Sequence, residues 1–346
     1  MNRYEALLGA AGVRSMPGYC PVANRPLLVP RCHNHTEEAP WAQRVGPGPD
    51  PPMAMHVGFF DDRATPNWRG IQRTLDRVRA LETSDAPVVA HLVVVDAPGQ
   101  VPVGGHLHVL RGAGGAEGQL ARCLYRNMGR SARGMGRHYL YKPVLHLLLP
   151  PHIEKLIMLD TDTVFVRPLS ELWAEFGRFL PMAVLGVAPE QNDFYTPLPG
   201  KNGGVQLLHL RRMRASRLYT KLLDWHASGL STCRSGYLGD QTVYSILEYQ
   251  SPLLIHHLPC EWNRQLAPTE PSNSPRYACG GRCGLLHGNG VTKCAVDRMH
   301  THNASCAAWR VISRGDSLPG DAACLHGNVR FRRVAERHFG DCCVGG

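Results

Sequence analysis

The chain has 346 residues, a length that allows one large domain or two modest ones. Apolar residues make up 43% and charged residues 19%, which is typical of a globular protein and excludes a wholly disordered one. The formal charge of +10 suits an anionic partner, but the basic residues are dispersed and form no run long enough to follow a nucleic-acid backbone. Nucleic acid is therefore not expected as a partner, and a nucleotide diphosphate is the simpler anion.

The Pro- and Gly-rich segment 1–52 is predicted to be a disordered leader, so the folded part is expected to begin at residue 53. Apolar strands are predicted at 55–60 and 88–95. Between them, a helix is predicted from an apolar face formed by Trp68, Ile71, Leu75 and Val78.

Strand and helix patterns continue to alternate along the chain. They are a helix over 139–149, strands over 155–159 and 164–166, a helix from Pro168, strands over 184–187 and 205–210, helices over 213–225 and 241–248, and a strand over 253–257. This alternation predicts an α/β fold with a mostly parallel, twisted sheet and helices on both faces. Beyond residue 265 the pattern is lost, and 296–346 is predicted to be a Cys-containing C-terminal extension.

Two carboxylates, Asp160 and Asp162, directly follow the apolar strand predicted over 155–159. Open α/β sheets bind their ligands at the carboxyl ends of strands, and alternation along an extended chain points both side chains the same way. Mg²⁺ and Mn²⁺ prefer oxygen ligands and keep coordination places for phosphate oxygens. A metal site is therefore predicted here, although a bare turn with helix-capping Asp residues is the simpler alternative for such a short motif.

A later Gly-rich segment carries His287, Gly290 and Lys293. An imidazole can complete a metal shell, Gly allows close approach of the backbone to a phosphate, and Lys supplies positive charge. The alternative is a solvated loop histidine. A second alternative is a zinc-stabilised, non-catalytic binding module whose ligands would be Cys279, Cys283, His287 and Cys294.

Four short motifs occur in the order in which they occur in one family of enzymes. They are Asp160-Thr161-Asp162, Asn202-Gly203-Gly204-Val205, Asp240-Gln241 and His287-x-x-Gly290-x-x-Lys293. Over residues 53–295 the chain thereby resembles glycosyltransferase family 8, whose members are retaining enzymes of the GT-A fold. Four ordered matches carry much more weight than any one of them, because their chance probabilities multiply.

Within that family the chain is most similar to the glucoside xylosyltransferases and to the xylosyltransferase domain of the LARGE-type dystroglycan glycosyltransferases. The residues that carry this similarity are Arg167-Pro168-Leu169, Ala188-Pro189-Glu190 and Leu258-Pro259-Cys260-Glu261-Trp262-Asn263. Both groups imply UDP-xylose as the donor. The chain departs from the family at Gly203, where Ser or Ala is usual, and at Thr242, where a second Asp is common.

The resemblance also implies roles for individual residues. Asp160, Asp162 and His287 would hold Mn²⁺ or Mg²⁺. The predicted catalytic residues are Gln241, which would lie near the anomeric carbon, and Asp240, which would hold a sugar hydroxyl. The predicted donor-binding residues are Lys142, Asn202, Gly203, Gly290 and Lys293. The simpler structural alternatives are an exposed helix residue for Lys142, a helix N-cap for Asp240 and a turn residue for Asn202.

The expected compartment is the lumen of the Golgi or endoplasmic reticulum, and the expected acceptor is a hydroxyl of a glycan on a glycoprotein. Twelve Cys and the glycosylation triplets at Asn34 and Asn303 favour that lumen, but the sequence shows no export signal or apolar membrane anchor. Three further alternatives stay open: another family 8 glucosyl- or galactosyltransferase, a cytosolic glycogenin-like enzyme, and a degenerate transferase that acts as a lectin or scaffold.

Overall fold

The computed structural model describes residues 43–45, 54–61, 68–95, 105–110, 116–127, 137–191, 200–227, 239–265 and 282–288. The strands within these segments form two sheets. The large sheet contains β1 (Gln43–Val45), β2 (Met55–Asp61), β3 (Val88–Val95), β4 (Gly105–Leu110), β5 (Leu156–Leu159), β7 (Leu185–Pro189), β8 (Lys201–Leu208) and β9 (Ile255–His257). The small sheet contains β6 (Thr163–Phe165), β10 (Arg264–Gln265) and β11 (Leu285–His287).

The large sheet is mixed but mostly parallel. Its strand order is β1-β4-β3-β2-β5-β8-β7-β9, and the four central strands β4, β3, β2 and β5 are mutually parallel. β8 runs antiparallel to both β5 and β7, and β1 runs antiparallel to β4. The chain thus has the α/β architecture expected from the sequence.

Helices cover both faces of this sheet. They are α1 (Trp68–Leu81), α2 (Ala116–Asn127), α3 (Leu145–Leu148), α4 (Leu169–Trp173), α5 (Leu210–Ala215), α6 (Arg217–Ala227) and α7 (Asp240–Gln250), with 3₁₀ turns at Arg137–Val144, Ala174–Arg178, Pro252–Leu254 and Cys260–Asn263. None of the helices in these described segments has the length and apolar character needed to cross a membrane.

The period of two along β5 divides the core into two layers. Leu156 and Met158 pack in the layer with α2, α6 and α7, whereas Ile157 and Leu159 pack in the layer with α1 and α4. Because β5 is buried on both faces, all four of its residues are apolar. Asp160 is the first residue after the carboxyl end of this central strand.

Several elements differ from their predicted form. The helix predicted over 139–149 is mostly 3₁₀, because Pro143 lies inside it and has no N–H for an α-helical hydrogen bond. The helix predicted over 213–225 is two helices that meet at Ser216. β4 and α2 were not predicted. β1 lies within segment 1–52, which the sequence predicts to be a disordered leader, but it forms a short strand that pairs with β4.

Candidate active site

Asp160 and Asp162 lie where the central strand β5 ends. The backbone N–H of Asp160 donates to the carbonyl oxygen of Gly204 at 2.9 Å, which ties this turn to β8. The Asp160 side chain is 29% exposed and that of Asp162 is 11% exposed. The pair is therefore partly accessible to solvent, more so at Asp160 than at Asp162.

The small sheet brings His287 to these carboxylates. β11 pairs antiparallel with β6 and places His287 opposite Thr163, and the N–H of Gly288 donates to the carbonyl oxygen of Asp162 at 2.7 Å. His287 Nε2 lies 3.4 Å from Asp162 Oδ1 and 3.7 Å from Asp160 Oδ2.

Asp160, Asp162 and His287 can each offer one ligand atom, and these atoms all lie within 4.8 Å of one another. Two carboxylate oxygens and one imidazole nitrogen suit a divalent cation such as Mn²⁺ or Mg²⁺. Burial lowers the pKa of His287, but hydrogen bonding to Asp162 and the charges of Asp162 and Asp160 raise it by more. A cation bound here would replace the proton that those carboxylates otherwise attract.

Lys142 lies between two acidic groups. Its ammonium Nζ is 2.8 Å from Asp160 Oδ1 and 3.6 Å from Asp240 Oδ2, and its side chain is 1% exposed. Burial lowers the pKa of Lys142, but the charges of Asp160 and Asp240 outweigh that effect and raise the pKa, so the ammonium stays charged. Lys142 is thus a buried bridge between the carboxylates and not an exposed helix residue.

Asp240 begins α7 after Gly239, whose φ of 66° lies in the left-handed region that favours glycine. Its carboxylate accepts a hydrogen bond from the side-chain amide of Gln206. Tyr244 in turn donates its hydroxyl to Gln206 Oε1 at 2.8 Å, which fixes the amide's orientation. Burial raises the pKa of Asp240, Lys142 opposes this, and the net value is about 6. Asp240 therefore points into the site and is not the N-cap of α7.

Glu190, directly after β7, is a buried acceptor for two predicted site residues. Asn202 Nδ2 donates to Glu190 Oε2 at 2.9 Å, and Gln241 Nε2 donates to the same oxygen at 3.1 Å. Gln241 also donates to the carbonyl oxygen of Lys201 at 3.1 Å. Asn202 lies inside β8 and is buried, so it is not the turn residue of the structural alternative.

Two glycines of β8 allow close packing at the site. A Cβ at Gly203 would lie 2.7 Å from Asp240 Oδ2, and a Cβ at Gly204 would lie 2.1 Å from Cε1 of the His287 ring. Such distances require the neighbouring group to move. The Asp240 carboxylate and the His287 imidazole therefore occupy space that larger residues on β8 would take.

The structure brings eight predicted site residues into one region, and their roles remain predictions. They are Lys142, Asp160, Asp162, Asn202, Gly203, Asp240, Gln241 and His287. Gly290 and Lys293 lie outside the described residues. Sequence reasoning missed the contacts of Glu190, Gln206 and Asn263, although Glu190 and Asn263 stand in segments that carry the family resemblance.

His287 Nδ1 is 3.0 Å from Asn263 Oδ1, so both ring nitrogens of His287 face partners other than cysteine. That arrangement argues against the hypothesis that His287 is a ligand of a zinc-stabilised binding module. Cys123 and Cys260 are both disulfide-bonded.

The fold is the GT-A glycosyltransferase fold. The apo structure of mouse xyloside xylosyltransferase 1 matches with a TM-score of 0.55 and 25% identity, over 69% of this chain and 99% of that chain. The structure of an active-site mutant of LgtC matches with a TM-score of 0.51 over 78% of this chain and 99% of that chain; at 14% identity it shows the fold alone. No family model matches the chain.

The chain is similar in sequence to xylosyltransferases. Xyloside xylosyltransferase 1 of Homo sapiens is 31% identical over 191 residues, 45% of this chain and 49% of that protein. Xylosyl- and glucuronyltransferase LARGE1 of Danio rerio is 34% identical over 177 residues, 48% of this chain and 23% of that protein. The chain thus spans about half the length of the first relative and about a quarter of the second. These findings confirm the resemblance to xylosyltransferases.

Proposed function

We propose that the chain is a retaining, metal-dependent glycosyltransferase that moves xylose from UDP-xylose to a hydroxyl of a glycan on a glycoprotein. The observation that carries the proposal is the convergence of Asp160, Asp162 and His287 at the end of β5, in a GT-A fold whose relatives are xylosyltransferases.

Departure of UDP from the anomeric carbon is the hard step. Asp160, Asp162 and His287 would hold a divalent cation, which we take to be Mn²⁺, and this cation would supply positive charge for the diphosphate. Lys142 keeps Asp160 oriented and balances the negative charge that Asp160 and Asp240 place next to each other. The resemblance implies that Lys293 and Gly290 would also bind the diphosphate.

The sugar is held by groups on the other side of Lys142. Asp240 accepts a hydrogen bond from a sugar hydroxyl, and Gly203 leaves room for the Asp240 carboxylate. Asn202 takes part in donor binding through Glu190, the acceptor that it shares with Gln241. Gln241 lies near the anomeric carbon, where its carboxamide dipole stabilises developing charge; an amide is too weak a nucleophile for double displacement. The acceptor attacks from the face that UDP leaves, which retains the configuration.

The proposed compartment is the Golgi or endoplasmic reticulum lumen. The disulfide bonds of Cys123 and Cys260 support it, because disulfides persist in oxidising compartments. Thiol titration of the denatured protein should find far fewer free thiols than the twelve that the sequence allows. Twelve titratable thiols would instead favour the cytosolic, glycogenin-like alternative.

The direct test of function is UDP release from a panel of UDP-sugars with Mn²⁺, with xyloside, glucoside and glucuronide acceptors. UDP-xylose should be preferred over UDP-glucose, because a xylose pocket must exclude the extra hydroxymethyl group and overpacking costs about 1–3 kcal/mol. That cost corresponds to roughly five- to 150-fold in kcat/KM. Equal values, or a preference for UDP-glucose or UDP-galactose, would leave a glycosyltransferase but refute the xylosyltransferase. No turnover of any donor would favour the lectin or scaffold alternative.

A further inference from the structure

A chain of side-chain hydrogen bonds connects Glu190 to the predicted metal ligand His287. Asn202 Nδ2 donates to Glu190 Oε2 at 2.9 Å, Asn263 Nδ2 donates to Asn202 Oδ1 at 2.8 Å, and His287 Nδ1 lies 3.0 Å from Asn263 Oδ1. All four residues are buried, with at most 4% of each exposed. We name these four residues the Glu190 chain.

The direction of every bond in the Glu190 chain is set from its Glu190 end. An ionised carboxylate can only accept hydrogen bonds, so Glu190 turns the NH₂ group of Asn202 towards itself. The backbone N–H of Gly204 donates to Asn202 Oδ1 at 2.9 Å and fixes the same orientation. Asn202 Oδ1 therefore faces the NH₂ group of Asn263, and Asn263 presents its oxygen to His287.

That oxygen determines the tautomer of His287. Because Asn263 Oδ1 carries no hydrogen, His287 Nδ1 must be the donor, and the neutral ring then keeps its lone pair on Nε2. Nε2 is the atom that faces Asp162 at 3.4 Å. A metal-binding imidazole is usually held in this way by a hydrogen bond from its other nitrogen.

Glu190 has a second branch. The Gln241 carboxamide, proposed to lie near the anomeric carbon, donates to the same Glu190 Oε2 at 3.1 Å. Asn202 and Gln241 thus donate to one and the same carboxylate oxygen, an arrangement that suits a fixed acceptor of hydrogen bonds.

We propose that Glu190 is a positioning residue that orients His287 for the metal through Asn202 and Asn263 and, through the same oxygen, orients Gln241 for the sugar. This inference rests on the proposed function, because the metal and the sugar are those of the proposed reaction. It predicts two separable defects: loss of either branch harms one property, whereas loss of Glu190 harms both.

The test compares Glu190→Leu, which removes the acceptor, with Asn263→Leu, which breaks only the metal branch. The first readout is the affinity of the full chain for Mn²⁺ alone, measured by the electron paramagnetic resonance of free Mn²⁺. Both variants should bind Mn²⁺ about 10–100-fold more weakly. Glu190→Gln should regain most of the affinity, because its amide oxygen can accept the same bonds.

The second readout is kcat with saturating Mn²⁺ and UDP-xylose. Asn263→Leu should recover close to the wild-type kcat once the metal is saturating. Glu190→Leu should not, because Gln241 then loses its bond to the carboxylate and keeps only the bond to the Lys201 carbonyl oxygen. The matched control is Glu175→Leu, since Glu175 is equally buried but pairs with Arg178 and His256 instead. The control should lose thermal stability and keep its affinity for Mn²⁺.

Wild-type Mn²⁺ affinity in both Leu variants would overturn the inference. Recovery of kcat in Glu190→Leu at saturating Mn²⁺ would overturn its second branch. If Glu190→Leu does not fold, unchanged Mn²⁺ affinity in Asn263→Leu overturns the metal branch by itself. Failure of the proposed function is distinct, because the wild-type chain would then neither bind Mn²⁺ nor turn over a UDP-sugar.

Discussion

Two buried polar clusters share the large sheet, and they differ in how their polar atoms are used. At the end of β5, Asp160, Asp162 and His287 point ligand atoms towards one another. Across β2, β3 and β4 lies a ladder of four buried histidines: His56, His91, His106 and His108. In this histidine ladder, His56 Nδ1 is 2.9 Å from His91 Nε2, and His91 Nδ1 is 3.0 Å from His108 Nε2.

The difference separates a candidate site from a structural cluster. A neutral imidazole has one donor and one acceptor, so His91 can use both of its ring nitrogens, one towards His56 and one towards His108, as buried polar groups normally do. The strand-end cluster instead places the carboxylates of Asp160 and Asp162 together, and Lys142 pairs with Asp160 and with the nearby Asp240. Within the part of the chain that the structure describes, only Asp160, Asp162 and His287 have the spacing of a metal site. Convergence of ligand atoms, rather than burial of polar groups, indicates function here.

The largest expected effect comes from breaking that convergence. Asp162→Asn keeps the volume of the side chain but removes a charged metal ligand, so kcat/KM for xylose transfer should fall by more than about 100-fold. The melting temperature without metal and nucleotide should stay nearly unchanged. Turnover of the wild-type chain in excess EDTA, at its full rate, would contradict the prediction.

The adjacent glycines of β8 allow a sharper comparison. Gly204→Ala should lower Mn²⁺ affinity about 10–100-fold, because its Cβ would meet the His287 ring that Asn263 holds in place. Gly203→Ala should leave that affinity unchanged and act on the sugar side, because its Cβ would meet Asp240. Mn²⁺ titration of both variants measures the difference, and equal losses would show that the two glycines do not separate metal from sugar.

The outline of the fold could be predicted from sequence wherever packing follows a simple period. β3 was predicted with its observed bounds, because only one of its eight residues, His91, has a polar side chain. β4 was missed because His106 and His108 break its apolar pattern. Both histidines are buried against His91 of the neighbouring strand, and no local pattern reveals that contact.

The residues of the candidate site also include some that the sequence could point to and some that it could not. Asp160 and Asp162 could be proposed from sequence because their carboxylates follow directly after an apolar strand. Glu190 and Asn263 could not, because their contacts join residues 12 to 61 positions apart. The resemblance included both residues in its motifs but gave no reason for either, and only the folded chain shows what they orient.

Breaking the histidine ladder should affect stability and leave the site intact. His91→Leu has a similar volume but removes the hydrogen bonds to His56 and His108, so the free energy of unfolding should fall by about 1–3 kcal/mol. Urea unfolding measures this loss. Mn²⁺ affinity and kcat of the folded variant should match the wild type, and a weakened metal site would contradict the separation of the two clusters.

The smallest expected effect is the response of the helical layer to acid. Burial, aided by the charge of Arg214, lowers the pKa of His146 to about 3, and burial lowers that of His226 to about 4. In the unfolded chain both would titrate near 6.5, so at a pH between 6.5 and the native pKa the unfolded state binds protons that the native state does not. The contribution of these two neutral histidines to the free energy of unfolding is therefore present above pH 6.5 and is lost as the pH falls. Each histidine should remove about 1 kcal/mol between pH 7 and pH 5.5. The side chain introduced by His226→Gln cannot titrate, so the free energy of unfolding of this variant, measured in urea, should depend on pH more weakly by that amount. An unchanged dependence would mean that His226 binds its proton over the same pH range in the native and in the unfolded protein.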